Sequence, residues 1–215
     1  MSFDLVEYAD RSGVTNPEKF AQKCETLRLF LIEANRNVNL TRITEKEDFE
    51  IKHVADSLSI LQFFPEIAQF DFRIADIGCG AGFPSLILAL ACPNLKITSI
   101  DSTGKKIAFV AQAAQHLGLK NLQAIQGRAL ELNRKKDFQG KFDIITARAV
   151  APSPKIYRET DRFVNDDGRY IFYKTPTQAA EEMPELLKIK QRFWHTTDEF
   201  TLPNDSGLRL FVVGN

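Results

Sequence analysis

Residues Arg73–Leu90, reading RIADIGCGAGFPSLILAL, restrict the fold of this chain more than any other stretch. A short apolar run (Ile74, Ala75, Ile77) ends at Asp76 and Gly78, and three glycines at alternate positions, Gly78, Gly80 and Gly82, then open a second apolar run of helical length. The pattern predicts a strand, a glycine loop and a helix. Glycine is required where the backbone takes a positive φ or must lie against a ligand, and alternating glycines do both within one tight turn. About twenty residues further on, the run Lys96–Ile100 ends in Asp101, the spacing that brings a carboxylate at a strand tip to the hydroxyls of a ribose over the loop.

The glycine spacing discriminates among nucleotides. A dinucleotide fingerprint needs a glycine where this chain has Phe83, which weakens the nicotinamide reading. The Gly104-Lys105 pair is followed by Lys106 and preceded by no matching glycine, so it is no ATP loop. Asp76, G-x-G-x-G and then Asp101 together resemble the S-adenosylmethionine site of class I methyltransferases.

The 215 residues suit one domain with a modest appendage, and a 44% hydrophobic content suffices for a sizeable core. Lys plus Arg and Asp plus Glu both number 28, so any basic surface is local. Three cysteines with no C-x-x-C pair argue against a disulfide framework or structural zinc and fit a reducing cytosol. The acidic start lacks a signal core, and no run approaches the roughly 20 residues of a membrane span. The expectation is a cytoplasmic monomer with no membrane partner and no metal.

Asn16-Pro17-Glu18 caps a helix predicted over about Pro17–Ala34 behind a polar opening. NRNVNLTRI, residues Asn35–Ile43, has no clean period and reads as a shaped connector. Thr44 to Glu47 match a capping box for a second helix running to about Phe64, stopped by Pro65. Beyond Asp101 the expected order is a helix Thr103–Leu117, a strand Leu122–Ile125 and a strand Phe142–Thr146. A helix to about Val164, a turn at Asp166-Asp167-Gly168 and a strand Arg169–Lys174 come next. A helix Thr177–Ile189 precedes two final strands, Arg192–Phe200 and Leu208–Val213. The expected fold is α/β, a doubly wound, seven-stranded, mostly parallel sheet of class I methyltransferase type. Residues 1–70 form its N-terminal helical extension and 71–215 the methyltransferase unit. Gly78, Asp101, Arg128 and Arg148 all fall at carboxyl ends of strands, where open α/β sheets bind ligands.

The segments NVNLTRI, the H-x-x-D-S of His53–Ser57, DIGCGAGFPSL, IDSTGKKIAFV, QGRALEL and TARAVA resemble, in this order, the small-subunit ribosomal RNA guanine-N7 methyltransferase family known as RsmG or GidB. The resemblance spans about Asn35–Ala151. Three positions depart from the family pattern: Ala34 replaces a tryptophan, Ser85 a glycine, and Lys174-Thr175 a lysine-glycine. The first two read as packing changes, and Lys174 receives no role. The resemblance implies that S-adenosylmethionine is the methyl donor and 16S ribosomal RNA or the small subunit the partner. It further implies that Gly78 and Phe83 line the methionine and adenosine end, that Asp101, Ser102 and Thr103 surround the ribose and adenine edge, that Ala129 and Leu130 flank the adenine, and that Arg148 closes the site. Gly80 and Gly82 belong to the same cradle.

Guanine N7 carries a lone pair and no proton, so no general base is needed. A 5-methylcytosine enzyme would need a cysteine nucleophile, for which Cys79 is the sole candidate in the loop. An amine-methylating enzyme would show [DNS]-P-P-[FYW] where this chain has Ala147-Arg148-Ala149-Val150. Arg128 and Lys105 are the candidates for RNA contact beside the donor, as phosphate or base-O6 partners. Arg36, Arg42, Lys52 and His53 form a candidate basic patch, whereas Asp56 with Ser57 reads as binding the connector backbone. Arg134-Lys135-Lys136 reads as a solvated loop, and Phe63, Phe64, Phe142 and Trp194 as core. The alternatives are a methyltransferase of the same fold acting elsewhere on RNA or on a small molecule, and a non-catalytic RNA-binding module.

Overall fold

The computed structural model describes residues 3–215. Chain order is α1 (Leu5–Arg11), α2 (Pro17–Asn35), α3 (Lys46–Phe49), a π-helical segment (Glu50–Ala55), α4 (Asp56–Phe63) and α5 (Glu66–Gln69). Then come β1 (Arg73–Ile77), α6 (Ser85–Ala91), β2 (Lys96–Asp101), α7 (Gly104–Leu117), β3 (Leu122–Gln126), α8 (Ala129–Leu132) and β4 (Phe142–Arg148). The remainder is α9 (Ser153–Thr160), β5 (Val164–Lys174), α10 (Pro176–Leu186), β6 (Trp194–Thr196), β7 (Phe200–Thr201) and β8 (Leu208–Gly214).

The sheet order is β3-β2-β1-β4-β5-β8-β6, with β7 pairing on β8. β1 to β5 are mutually parallel, and β8 runs antiparallel to β5, β6 and β7. The doubly wound, mostly parallel sheet is the expected one. Because β2 and β3 lie to one side of β1 and β4 to the other, the winding reverses between β1 and β4, and a crevice opens at their carboxyl ends.

Strand periodicity sorts the core into two layers. Ile74, Ile144 and Ile171 face a layer shared with α2, α4, α6 and α7, while their neighbours Ala75, Ile145, Tyr170 and Phe172 face α9 and α10. With both faces covered, these strands read as continuous apolar runs. The N-terminal helices share the first layer, since Leu5, Phe20, Leu27 and Leu31 are buried in it.

Four expectations need correction. The polar opening contains α1, whose Asp4 side chain accepts from the amides of Val6 and Glu7. The capping box at Thr44 does not form: Glu45 occupies the cap position without a side-chain bond, and the Thr44 carbonyl instead accepts from Arg28 Nη1 at 2.9 Å. The Asp166-Asp167-Gly168 turn lies inside β5, which begins at Val164, because an irregularity between Phe142 and Ile144 lets the ladder continue past it. The single strand expected over Arg192–Phe200 is two short ones, each paired with β8, so the sheet has eight strands.

Candidate functional site

Gly78, Gly80 and Gly82 all take positive φ, at +65°, +57° and +87°. The amides of Gly78 and Cys79 both donate to the Ile100 carbonyl, at 2.7 and 3.0 Å, which ties the loop to the end of β2. A Cβ on Gly78 would lie 2.4 Å from Val150 Cγ1, so the segment after β4 closes on bare main chain there. Gly82 faces the other way, with a Cβ meeting Leu86 at 2.5 Å; it packs the loop on α6.

Asp101 joins the two halves of the cradle. One carboxylate oxygen accepts from the Gly80 amide at 3.0 Å and the other from the Thr103 amide at 2.8 Å. A carboxylate has about four acceptor positions, so lone pairs remain for hydroxyls of a ligand. A cavity of about 670 Å³ opens above these groups. Ile100, Asp101, Ser102, Gly127, Arg128, Ala129 and Leu130 line one end; Leu40, Thr41, His53, Phe83 and Arg148 line the other, with Gly78 and Gly80 between.

The second end is built by the π-helical segment. Arg148 Nη1 donates to the Lys52 carbonyl at 3.0 Å and to Asp56 Oδ2 at 2.8 Å, and Nη2 lies 3.3 Å from His53 Nδ1. A guanidinium only donates, so Nδ1 accepts and the imidazole proton sits on Nε2, facing Thr41 Oγ1 at 3.0 Å. Burial, with Arg148 adding to it, lowers the His53 pKa to about 3, so the ring is neutral. Its plane stacks on Phe83, centroids 4.2 Å apart and 1° between planes. Thr41 Oγ1 also accepts from the Ile43 amide, and Asn35 Oδ1 accepts from the amides of Leu40 and Thr41. These bonds shape the connector.

Asp76 does not reach the cavity. It is fully buried beneath the loop, accepting from Ser85 Oγ and from Thr146 Oγ1 at 3.3 Å. Burial raises its pKa to about 6 against the hydrogen bonds that lower it. Ser85 is therefore more than a packing change. Burial, with Asp76 and Asp101 adding to it, raises the Cys79 thiol far above its usual range, which keeps it protonated and a poor nucleophile.

Of the residues singled out from sequence, Gly78, Gly80, Phe83, Asp101, Ser102, Arg128, Ala129, Leu130 and Arg148 line the cavity. Gly82 and Thr103 do not line it, Gly82 packing on α6 and the exposed Thr103 donating its amide to Asp101, and Lys105 is exposed on α7 while Lys106 lines the cavity instead. Asp56 binds Arg148, not the connector backbone. Lys174 is buried, donating to Glu182 Oε1 at 2.8 Å and to the Ala151 carbonyl at 3.2 Å. Glu182 in turn accepts from the Ser153 amide and hydroxyl, so this network holds the segment that covers Gly78. Thr41, Lys106 and Val150 also line the cavity and receive no role from sequence, although they fall within the matched segments NVNLTRI, IDSTGKKIAFV and TARAVA. Among the described residues no group of three or more His, Cys, Asp or Glu is placed to hold a metal, and no helix is long and apolar enough to cross a membrane.

A sheet wound this way, with a glycine cradle at β1 facing an acid at the tip of β2, defines a class I S-adenosylmethionine-dependent methyltransferase fold. Among solved structures, a SAM-dependent methyltransferase from Aquifex aeolicus superposes with a TM-score of 0.55 at 15% identity, covering 71% of this chain and 87% of that one. The fibrillarin of Aeropyrum pernix, solved with bound S-adenosyl-L-methionine, gives 0.54 at 13% identity over 68% of this chain and 67% of its own. At the level of sequence, the family model for GidB, rRNA small subunit methyltransferase G, matches residues 21–200, and the chain belongs to that family. The ribosomal RNA small subunit methyltransferase G of Streptococcus pyogenes is 39% identical over 186 residues, 86% of this chain and 77% of that protein. Its namesake from Lactobacillus helveticus is 37% identical over 187 residues, 86% and 78% of the two chains.

Proposed function

We propose that this protein transfers a methyl group from S-adenosylmethionine to N7 of a guanine in 16S ribosomal RNA, with Asp101 and the Gly78–Gly82 loop holding the donor. The observation that carries the reading is the cradle itself: main chain kept bare by the positive-φ glycines Gly78 and Gly80, opposite a carboxylate with acceptor capacity to spare. The donor fits on those grounds, with Asp101 toward its ribose, Ser102, Ala129 and Leu130 around its base and Phe83 and Arg148 toward its methionine. When bound it supplies an electrophilic methyl on a sulfonium.

The chain's part is to orient and to exclude rival chemistry. N7 has no proton to lose, and the groups at the site suit that: His53 is neutral with both nitrogens engaged, and the Cys79 thiol stays protonated. Lys106, Arg128 and Lys155 line the cavity and supply cations for phosphates of RNA entering there. Residues 71–215 act as the methyltransferase unit and 1–70 as an extension that contributes Thr41 and His53. We take the enzyme to act as a monomer in the cytoplasm.

The test is transfer of labelled methyl into 16S ribosomal RNA, with the modified nucleoside mapped by mass. Wild type labels a guanine at N7, and Asp101→Ala and Arg148→Ala bind S-adenosylhomocysteine at least tenfold more weakly. Label at another atom, or undiminished affinity in both variants, contradicts the assignment.

A further inference from the structure

A second cavity of about 300 Å³ shares His53, Arg148 and Ala149 with the first and lies at the carboxyl ends of β4 and β5. Its other sides include Tyr173, Lys174, Arg209 and Asp56. That size is at the lower end of small-molecule sites. The polar groups on its wall are mostly engaged: Lys174 is bound to Glu182 and Ala151, and the Tyr173 hydroxyl donates to the Ser57 carbonyl at 2.9 Å. Asp56 is the exception. It is 3% exposed, its Oδ2 accepts from Arg148, and its Oδ1 is buried without a hydrogen-bond donor. Arg209 Nε lies 3.3 Å from Oδ1 and balances its charge, but it is not aligned to donate to it.

A buried carboxylate oxygen with no donor is costly, and a ligand with N–H groups would relieve that cost. Resting on the methyl transfer to guanine N7 proposed above, we propose that this second cavity receives the target base, and that Asp56 Oδ1 recognises guanine through its N1–H and 2-amino edge. Guanine alone among the four bases presents two adjacent N–H donors there. Adenine and cytosine set an unprotonated ring nitrogen beside the amine, which the carboxylate repels, and uracil flanks its single N–H with carbonyls. Held by that edge, guanine leaves N7 uncontacted at the other end of the purine, as transfer requires. The shared wall also explains why one arginine serves both cavities: Arg148 closes the first while fixing the Asp56 oxygen that does not read the base.

The experiment is a two-by-two comparison of wild type and Asp56→Asn on 16S ribosomal RNA ligated to carry guanine or inosine at the mapped position, inosine lacking only the 2-amino group. Wild type should lose about 10- to 100-fold in kcat/KM on inosine, the range expected when a hydrogen bond to a buried charge is removed. Asp56→Asn should lose a similar factor on guanine but at most about threefold further on inosine. Equal turnover of both substrates by wild type overturns the proposal, as do losses that multiply independently, and either result is decisive whatever Asp56→Asn does to S-adenosylhomocysteine affinity. Absence of any transfer by wild type removes the reaction itself, and the base site falls with it.

Discussion

Arg148 donates to the Lys52 carbonyl at 3.0 Å, across 96 residues of sequence. Lys52 lies within the π-helical segment Glu50–Ala55, where the ordinary i to i+4 ladder is interrupted and a carbonyl can accept from outside the helix. The same guanidinium meets Asp56 Oδ2 and His53 Nδ1, so one side chain joins the N-terminal helices to the end of β4.

Arg148→Lys should undo that junction, because an ammonium on a flexible stem cannot reproduce a planar fork. Asp56 would be left with only the poorly aligned Arg209, and breaking a buried pair of this kind costs about 3 kcal/mol. We expect a Tm lower by several degrees together with at least tenfold weaker binding of S-adenosylhomocysteine. An unshifted melting curve would show that the junction carries no stability.

Gly78→Ala places a methyl group 2.4 Å from Val150 and forces an L-residue to φ +65°. The first cost is steric and the second conformational, about 1 kcal/mol or more. Adding Val150→Ala removes the two closest contacts but leaves Cβ at 3.0 Å, so it should recover part of the steric cost and none of the conformational one, which a double-mutant cycle on thermal unfolding would reveal as a favourable coupling. Complete recovery by the double variant would mean that backbone strain at Gly78 is negligible.

Two buried groups give acid stability opposing slopes. His53 has its folded pKa lowered to about 3, so the folded state binds fewer protons than the unfolded chain between about 3 and 6.5, and stability falls as pH drops through that window. Asp76 has its folded pKa raised from 3.8 to about 6, so between those values the folded state holds the extra proton and stability falls as pH rises. Urea unfolding as a function of pH should show His53→Gln less acid-sensitive than wild type and Asp76→Asn more so. Matching profiles for both variants would refute the pair of shifts.

For RNA, Lys106→Ala and Arg128→Ala should each raise KM and flatten the plot of log affinity against log salt by about 0.7, the loss of one phosphate contact to a single strand. Lys105→Ala, exposed outside the cavity, should change KM by no more than about twofold. A larger effect at Lys105 than at Lys106 would return the RNA path to the outer side of α7.

The cradle is legible in the amino-acid order because its chemistry is local: positive-φ glycines, a strand before them and an acid at the tip of the next strand are set by short-range pattern and spacing. Gly78, Gly80 and Asp101 lie as that pattern requires. The division of apolar runs into two core layers also follows from strand periodicity. Which lysine lines the cavity is settled by packing instead, since Lys105 and Lys106 differ merely by about 100° around α7. Packing likewise puts Asp76 beneath the loop rather than in the site, joins Asp56 to Arg148, and takes α3 through a π-helical turn before α4. These outcomes rest on partners between 9 and 96 residues away, joined by through-space hydrogen bonds and burial that no local period encodes.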